Sequence, residues 1–263
     1  MANSSLALLE TALRAKRLDT TLTAALTARE AVPVERVPST LAPIDAVLHG
    51  GLPKGQLSEI AGPASSGRTT LLLGTFAAAT RRGEIVALVD PFDRLDVASA
   101  VAAGVDLSRL LWVRGDGCGT HGAAGHALVG RALERGLKAL TLILPAGGFG
   151  VVAMDLADVP APALTGLPPA TWLRVQRAIE GRDTACVLVT ERPLARSAGG
   201  LTVLLDGAPS RARWAGDTAR SQRLSGLDVT GRVLSPRRTT DGTFACPGTV
   251  VDWRASARAV HAC

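Results

Sequence analysis

The apolar positions of this 263-residue chain change rhythm along its length. Over residues 4–30 they recur at helical spacing: Leu6, Leu9 and Leu13 fall at i, i+3 and i+7, and Leu22 and Leu26 at i and i+4. The alanines between them favour a helix. Pro33 and Pro38 then force an extended link, because the residue before a proline is pushed out of the helical region. From Ser39 onward, short apolar runs alternate with helical stretches. Residues 56–61 read as a strand, 66–81 as a helix, and 84–90 (EIVALVD) as a near-continuous apolar strand of the kind a parallel sheet buries on both faces. Residues 93–103 read as a helix, 110–113 as a strand, and the glycine-rich 115–126 as a loop. Up to Leu144 the spacing fits two helical segments, although Leu140, Leu142 and Leu144 also fit a strand; Pro145 ends either one. Residues 150–155 and 185–191 are further buried strands, separated by a helix over 168–180 that opens on proline. The short runs 201–205, 212–214, 231–234 and 249–253 sit between Gly and Pro turns and read as antiparallel strands.

This succession predicts an α/β fold: a mostly parallel central sheet flanked by helices, with an antiparallel C-terminal extension. The expected organisation is a helical arm over 1–31, an extended linker over 32–38, a core over 39–253 and a tail over 254–263. The 47% apolar content is ample for one large core. The N-terminal arm is too short to make a core of its own, so it packs either on this chain or on a neighbour. The N-terminus carries no apolar segment long enough for a signal peptide or a membrane span, and a cytoplasmic protein is expected.

Charge sharpens the picture. The net charge is +6, and from Arg174 to the end there are 14 arginines against 8 acids, so the whole excess lies in the last third. That is a modest footprint for nucleic acid or for an acidic protein face. Trp214 stands in SRARWAGDTAR among Arg211, Arg213 and Arg220, where ring and cations suit either partner. The four cysteines form no metal-binding pair, and His121 and His126, near Cys118, lack further ligands, so no metal site is expected. No Gly-x-Ser-x-Gly elbow marks a nucleophile.

The strongest chemical signal is residues 62–70, GPASSGRTT. They fill the Gly-x-x-x-x-Gly-Lys-[Ser/Thr] spacing of a phosphate loop between a strand and a helix, with Arg68 where the lysine belongs. In that pattern, backbone N–H groups of Gly62, Ser65, Ser66 and Gly67 cradle an anion, and Thr69, followed by Thr70, places a hydroxyl on Mg²⁺. An arginine keeps the charge, but its planar fork is longer and differently shaped. The expectation is weak ATP or ADP binding with Mg²⁺, with turnover in question.

The run STLAPIDAVLHGGLPKGQLSEIAGPASSGRTTLLL, residues 39–73, resembles the opening of the RecA recombinase core. The resemblance continues strongly to Gly104 and more loosely to Trp253. It implies a Walker B role for Asp155, a phosphate-sensing position for Glu191, an adenine-pocket position for Asp96, and a DNA-loop terminus at Ala198-Gly199-Gly200. It also implies four departures. The hydrolytic glutamate's position holds Phe92, which cannot accept a proton; the adjacent Asp93 faces differently. The base-stacking tyrosine's position holds Ser99. Both DNA loops are short, the first proline-rich (VPAPALTGLPP) and the second only RPLARSA. Arg237 and Arg238 stand for the inter-subunit lysines. A RecA core with this altered site resembles the ImuA family, as do GGFGVVAMDLADVP (147–160) and ERPLARSAGGLTVLL (191–205). That resemblance implies a nucleoid-associated, non-catalytic or weakly active accessory protein of the damage-induced mutasome. Its partners would be an ImuB-like inactive Y-family polymerase relative, indirectly an error-prone replicative-type polymerase, and single-stranded DNA, with RecA or a second copy as further contacts. Arg192, Arg196, Arg211, Arg213, Trp214, Arg220, Arg237 and Arg238 are the expected contact residues. Two alternatives stay open: a DNA-stimulated ATPase of recombinase or mediator type, and a SulA-like cell-division inhibitor.

Overall fold

The computed structural model describes residues 35–116, 123–157, 159–168, 170–195, 200–205, 211–218, 220–233 and 249–256. All belong to one of the chain's two compact units, Glu35–Arg237 with Phe244–Cys263. The helical arm expected over 1–31 lies outside the described residues.

A short antiparallel pair, β1 (Arg36–Val37) with β2 (Leu52–Pro53), brackets helix α1 (Ala42–Val47). The main sheet then begins at β3 (Leu57–Ala61) and continues through β4 (Ile85–Asp90), β5 (Leu110–Arg114), β6 (Phe149–Asp155), β7 (Ala185–Thr190), β8 (Thr202–Leu204), β9 (Arg211–Ala215), β10 (Arg223–Val233) and β11 (Thr249–Ser256). Its strand order is β11-β10-β8-β3-β7-β6-β4-β5, with β9 also on β10. The run from β5 to β8 is parallel; β8, β9 and β11 pair antiparallel with β10. The parallel sheet and antiparallel extension expected from sequence are therefore both present.

Period-2 alternation explains why the strands are apolar throughout. In β4, Val86 and Leu88 join one core cluster while Ala87 and Val89 join the other; in β7, Val187 and Val189 oppose Cys186 and Leu188. The first face is covered by α2 (Arg68–Arg81) through Leu71, Leu72 and Phe76, with help from α1 and from α3 (Val97–Ala103). The second is covered by α4 (Ala123–Ala146) and α6 (Ala170–Ile179), through Val129, Leu133, Leu140, Trp172, Val175 and Ile179. Full burial pushes the Cys186 thiol up to about 12, which keeps it protonated and inert.

The structure departs from the sequence expectation in four places. Helix α3 starts at Val97, not at residue 93, because the Asp90 carboxylate accepts N–H bonds from Arg94 (2.8 Å) and Leu95 (2.9 Å) and holds residues 91–95 as a loop. Asp96 then caps the helix, accepting from the Ser99 N–H at 3.0 Å. One long helix, α4, replaces the two segments, and Pro145 sits inside its last turn without ending it there. The proline-rich segment after β6 contains a short helix, α5 (Ala161–Thr165). Finally, β10 runs for eleven residues, much longer than the run seen in sequence, because Gly226 and Gly231 interrupt its apolar alternation. No described helix is long and apolar enough to cross a membrane.

Phe76 is fully buried on the first face, whereas Leu142 on α4 is 76% exposed. Phe76→Ala is expected to cost about 3–5 kcal/mol in urea unfolding, and Leu142→Ala to stay within about 0.5 kcal/mol. Similar costs at both positions would contradict the two-layer packing.

Candidate functional site

Strand β3 delivers the chain to the carboxyl edge of the sheet, and α2 carries it away. Between them the loop is held on both sides. The Gly62 N–H donates to the Thr190 carbonyl (3.1 Å) at the end of β7, and the Leu205 N–H donates to the Ala61 carbonyl (2.7 Å). Within the loop the Ser66 N–H donates to the Pro63 carbonyl at 3.2 Å. Gly62 is required by close approach: a Cβ there would lie 2.7 Å from Ser66 Oγ and 2.8 Å from the Leu205 carbonyl oxygen. Gly67 takes φ of 96°, a left-handed conformation that glycine adopts without strain, and opens α2 as its N-cap.

The result is a shallow concavity of about 150 Å³ lined by Ser65, Ser66, Gly67, Arg68, Thr69 and Thr70. Thr69 is exposed on it. Ser66 Oγ is buried and has no hydrogen-bond partner among the described residues, and the same holds for Thr190 Oγ1. A helix N-terminus with a glycine-framed loop and an unpartnered hydroxyl fits a phosphate group. These residues would hold the phosphates of ATP or ADP, and Thr69 would meet Mg²⁺.

The cation of the motif is bonded to the main chain. Arg68 is only 7% exposed, and its Nη1 donates to the carbonyls of Ala157 (3.3 Å) and Thr190 (3.2 Å). Both acceptors are main-chain oxygens at the carboxyl ends of β6 and β7. The Thr190 carbonyl thus takes two donors, the Gly62 N–H and Arg68. Asp155, the expected Walker B carboxylate, accepts from the Ala157 N–H at 2.9 Å, so it orders the turn on which Arg68 rests. In this arrangement the arginine stitches the ends of β6 and β7 together.

The remaining candidates are dispersed. Phe92 is 6% exposed and belongs to the core cluster of the second face, with Val129 and Leu133, whereas the loop helix α2 covers the first. Asp93 pairs with Arg114 at 2.7 Å, and that bond holds its carboxyl below the usual range. Arg114 in turn stacks on Trp112, 4.3 Å from the ring centroid. Asp96 caps α3, and its bonds from Ser99 likewise lower its carboxyl. Glu191 and Arg192 are exposed just beyond β7. Arg211, Arg213 and Trp214 lie on β9, and Arg220 follows in the turn to β10. Arg196, Arg237, Arg238, Ala198 and Gly199 lie outside the described residues.

Sequence reasoning missed Glu59. It is 2% exposed in β3, and its Oε1 accepts from the Leu194 and Ala195 N–H groups, each at 2.7 Å, while Thr202 Oγ1 donates to Oε2 at 3.3 Å. A carboxylate within the apolar strand LSEIA was the available signal, since a buried acid needs donors. Glu59 fixes the segment after β7 to the strand that feeds the phosphate loop. A larger crevice, of about 330 Å³, lies apart from the loop at the ends of β4 and β5, with Pro91, Arg114, Leu128, Arg131 and Arg135 in its walls.

The similarity to known proteins is concentrated in the N-terminal half. Residues 9–124 match the family model of the RecA N-terminal domain. Protein RecA of Nostoc punctiforme is 47% identical over 78 residues, covering 30% of this chain and 22% of the relative. Protein RecA of Brucella anthropi is 48% identical over 81 residues, with the same coverage. The chain therefore spans about a fifth of the length of the curated relatives it matches. Together with the parallel sheet and its glycine loop, these matches make this chain a RecA-like α/β protein.

Proposed function

We propose that this chain is a non-hydrolysing accessory protein of damage-induced translesion synthesis, an ImuA-type scaffold. It holds an ImuB-like polymerase relative and, through it, an error-prone replicative-type polymerase at DNA. The observation that carries this reading is position 92. The phenylalanine there is built into the core of the opposite face, so position 92 supplies no group to take a proton from water. Arg68 supports the same reading, because its guanidinium serves the fold. The mutasome assignment rests on the resemblance of residues 147–160 and 191–205 to the ImuA family. Contact with single-stranded DNA, RecA or a second copy belongs to the same proposal. Partner docking is further supported by β5, which ends the strand order and lies beside the 330 Å³ crevice.

A DNA-stimulated ATPase is the second reading. The intact loop backbone, the unpartnered Ser66 hydroxyl and the exposed Thr69 favour it. The two separate on a Thr69→Ala variant, which removes the metal-binding hydroxyl. In cells lacking this gene, the scaffold reading expects Thr69→Ala to restore damage-induced mutagenesis as fully as the unaltered protein, and to co-purify the ImuB-like partner equally well. Loss of both in Thr69→Ala would favour the ATPase.

Arg68 carries its own expectation. Arg68→Ala removes a buried donor, takes the Arg68 bond from the Ala157 carbonyl and leaves the Thr190 carbonyl with the Gly62 N–H, which should lower unfolding free energy by about 1–3 kcal/mol. Chemical denaturation checks this; unchanged stability would mean that the guanidinium is not part of the fold.

A further inference from the structure

We infer that the outer edge of β9 is a docking site for an extended acidic segment of a partner polypeptide, which adds to it as a further strand. The inference deepens the scaffold reading above by assigning a surface and a partner chemistry. Among the described residues β9 pairs with β10 alone, through Arg211↔Asp228, Ala212↔Leu227, Arg213↔Gly226, Trp214↔Leu224 and Ala215↔Arg223. Strand β8 meets β10 only at Arg232 and Val233. Strand β9 therefore occupies a different stretch of β10, and its other row of N–H and C=O groups has no strand partner among the described residues.

Proteins protect such edges with charge and bulges. Charge is here: residues 211–228 hold four arginines (Arg211, Arg213, Arg220, Arg223) and two acids (Asp217, Asp228). A bulge is here too, between Leu224 and Gly226, where the Ser225 hydroxyl donates to the Arg213 carbonyl at 3.0 Å. Trp214 does not fit that defensive pattern. It is 59% exposed, beside the exposed Arg213. A large ring held in water on an open edge is a binding feature, and Trp and Arg are the residues that dominate interface energies. The turn that follows is pinned, with the Ser221 N–H donating to the Thr218 carbonyl at 2.9 Å and the Thr218 N–H to Ser221 Oγ at 3.0 Å. A preformed edge lowers the ordering cost of strand addition.

The partner's chemistry follows from the same features. An open strand edge offers alternating donors and acceptors that only another polypeptide backbone matches. A single-stranded nucleic acid instead uses aromatic faces for successive bases, and the described part of this hairpin has one such ring. The arginine excess selects acidic side chains.

The test uses the full-length protein and a fluorescent peptide of alternating glutamate and valine, read by anisotropy at low salt. A version N-methylated at alternate residues keeps the charge but cannot donate from one edge. An oligo-dT of equal charge is the nucleic-acid arm. The peptide is expected to bind, to weaken by about tenfold or more on N-methylation and equally in Trp214→Ala, and to weaken further in Arg213→Glu. The oligonucleotide should bind more weakly and ignore Trp214→Ala. Absence of peptide binding, or equal binding by the N-methylated peptide, overturns the proposal. If the two protein variants affect only the oligonucleotide, the surface is a nucleic-acid contact instead. The N-methylation arm needs no protein variant, so misfolding cannot mimic its result. Because the peptide names no mutasome partner, peptide binding can succeed while the translesion reading fails, and the reverse.

Discussion

The carbonyl oxygen of Thr190 is the point on which the site's geometry turns. It ends β7, and it accepts from both the first residue of the phosphate loop and the guanidinium of Arg68. The second acceptor of Arg68, the Ala157 carbonyl, lies just beyond β6. The ends of β6 and β7 are thereby joined through one buried cation, and the end of β3 through the Gly62 N–H. A lysine at position 68 would offer a compact point charge on a flexible stem. The longer arginine brings one nitrogen, Nη1, within reach of two main-chain oxygens, and a buried charge is tolerable only when its donors are satisfied. In this chain the cation at position 68 bonds the main chain at the ends of β6 and β7.

Phe92 illustrates the same logic on the other side of the sheet. Asp90 accepts the Arg94 and Leu95 N–H groups and also the Trp112 indole N–H at 3.1 Å. This anchors residues 91–95 as a loop and lets Phe92 enter the core beneath α4. Once a large apolar side chain fills that place, returning an acid to it would bury an unpaired carboxylate. Position 92 is thereby part of the packing of the second face. Glu59 plays the complementary part: its buried carboxylate fastens the segment beyond β7 to the loop strand.

Much of this was legible in the chain. The continuous apolar runs of β4, β6 and β7 announce a sheet buried on both faces, and 62–70 announces a phosphate loop, because backbone geometry there depends on glycine spacing. What the sequence did not disclose were directions. The identity of Arg68 says nothing about whether its fork faces a ligand or two carbonyls. Nor does position 93 reveal that a carboxylate three residues earlier delays the start of α3. Pro145 is an ordinary stop signal, yet in the last turn of α4 it is tolerated. The length of β10 was hidden because its glycines break the period that marks a half-buried strand.

The central claim is that the loop keeps the shape of a nucleotide site without its turnover. The most direct measurement is phosphate release from Mg-ATP by the purified full-length protein, with and without single-stranded DNA, paired with calorimetric titration of Mg-ATP and Mg-ADP. The account predicts no DNA-stimulated release, with weak or absent heat of binding. Robust release stimulated by single-stranded DNA would contradict it: Arg68 would then have to leave its two carbonyls and serve the γ-phosphate, and another acid would have to replace the missing base.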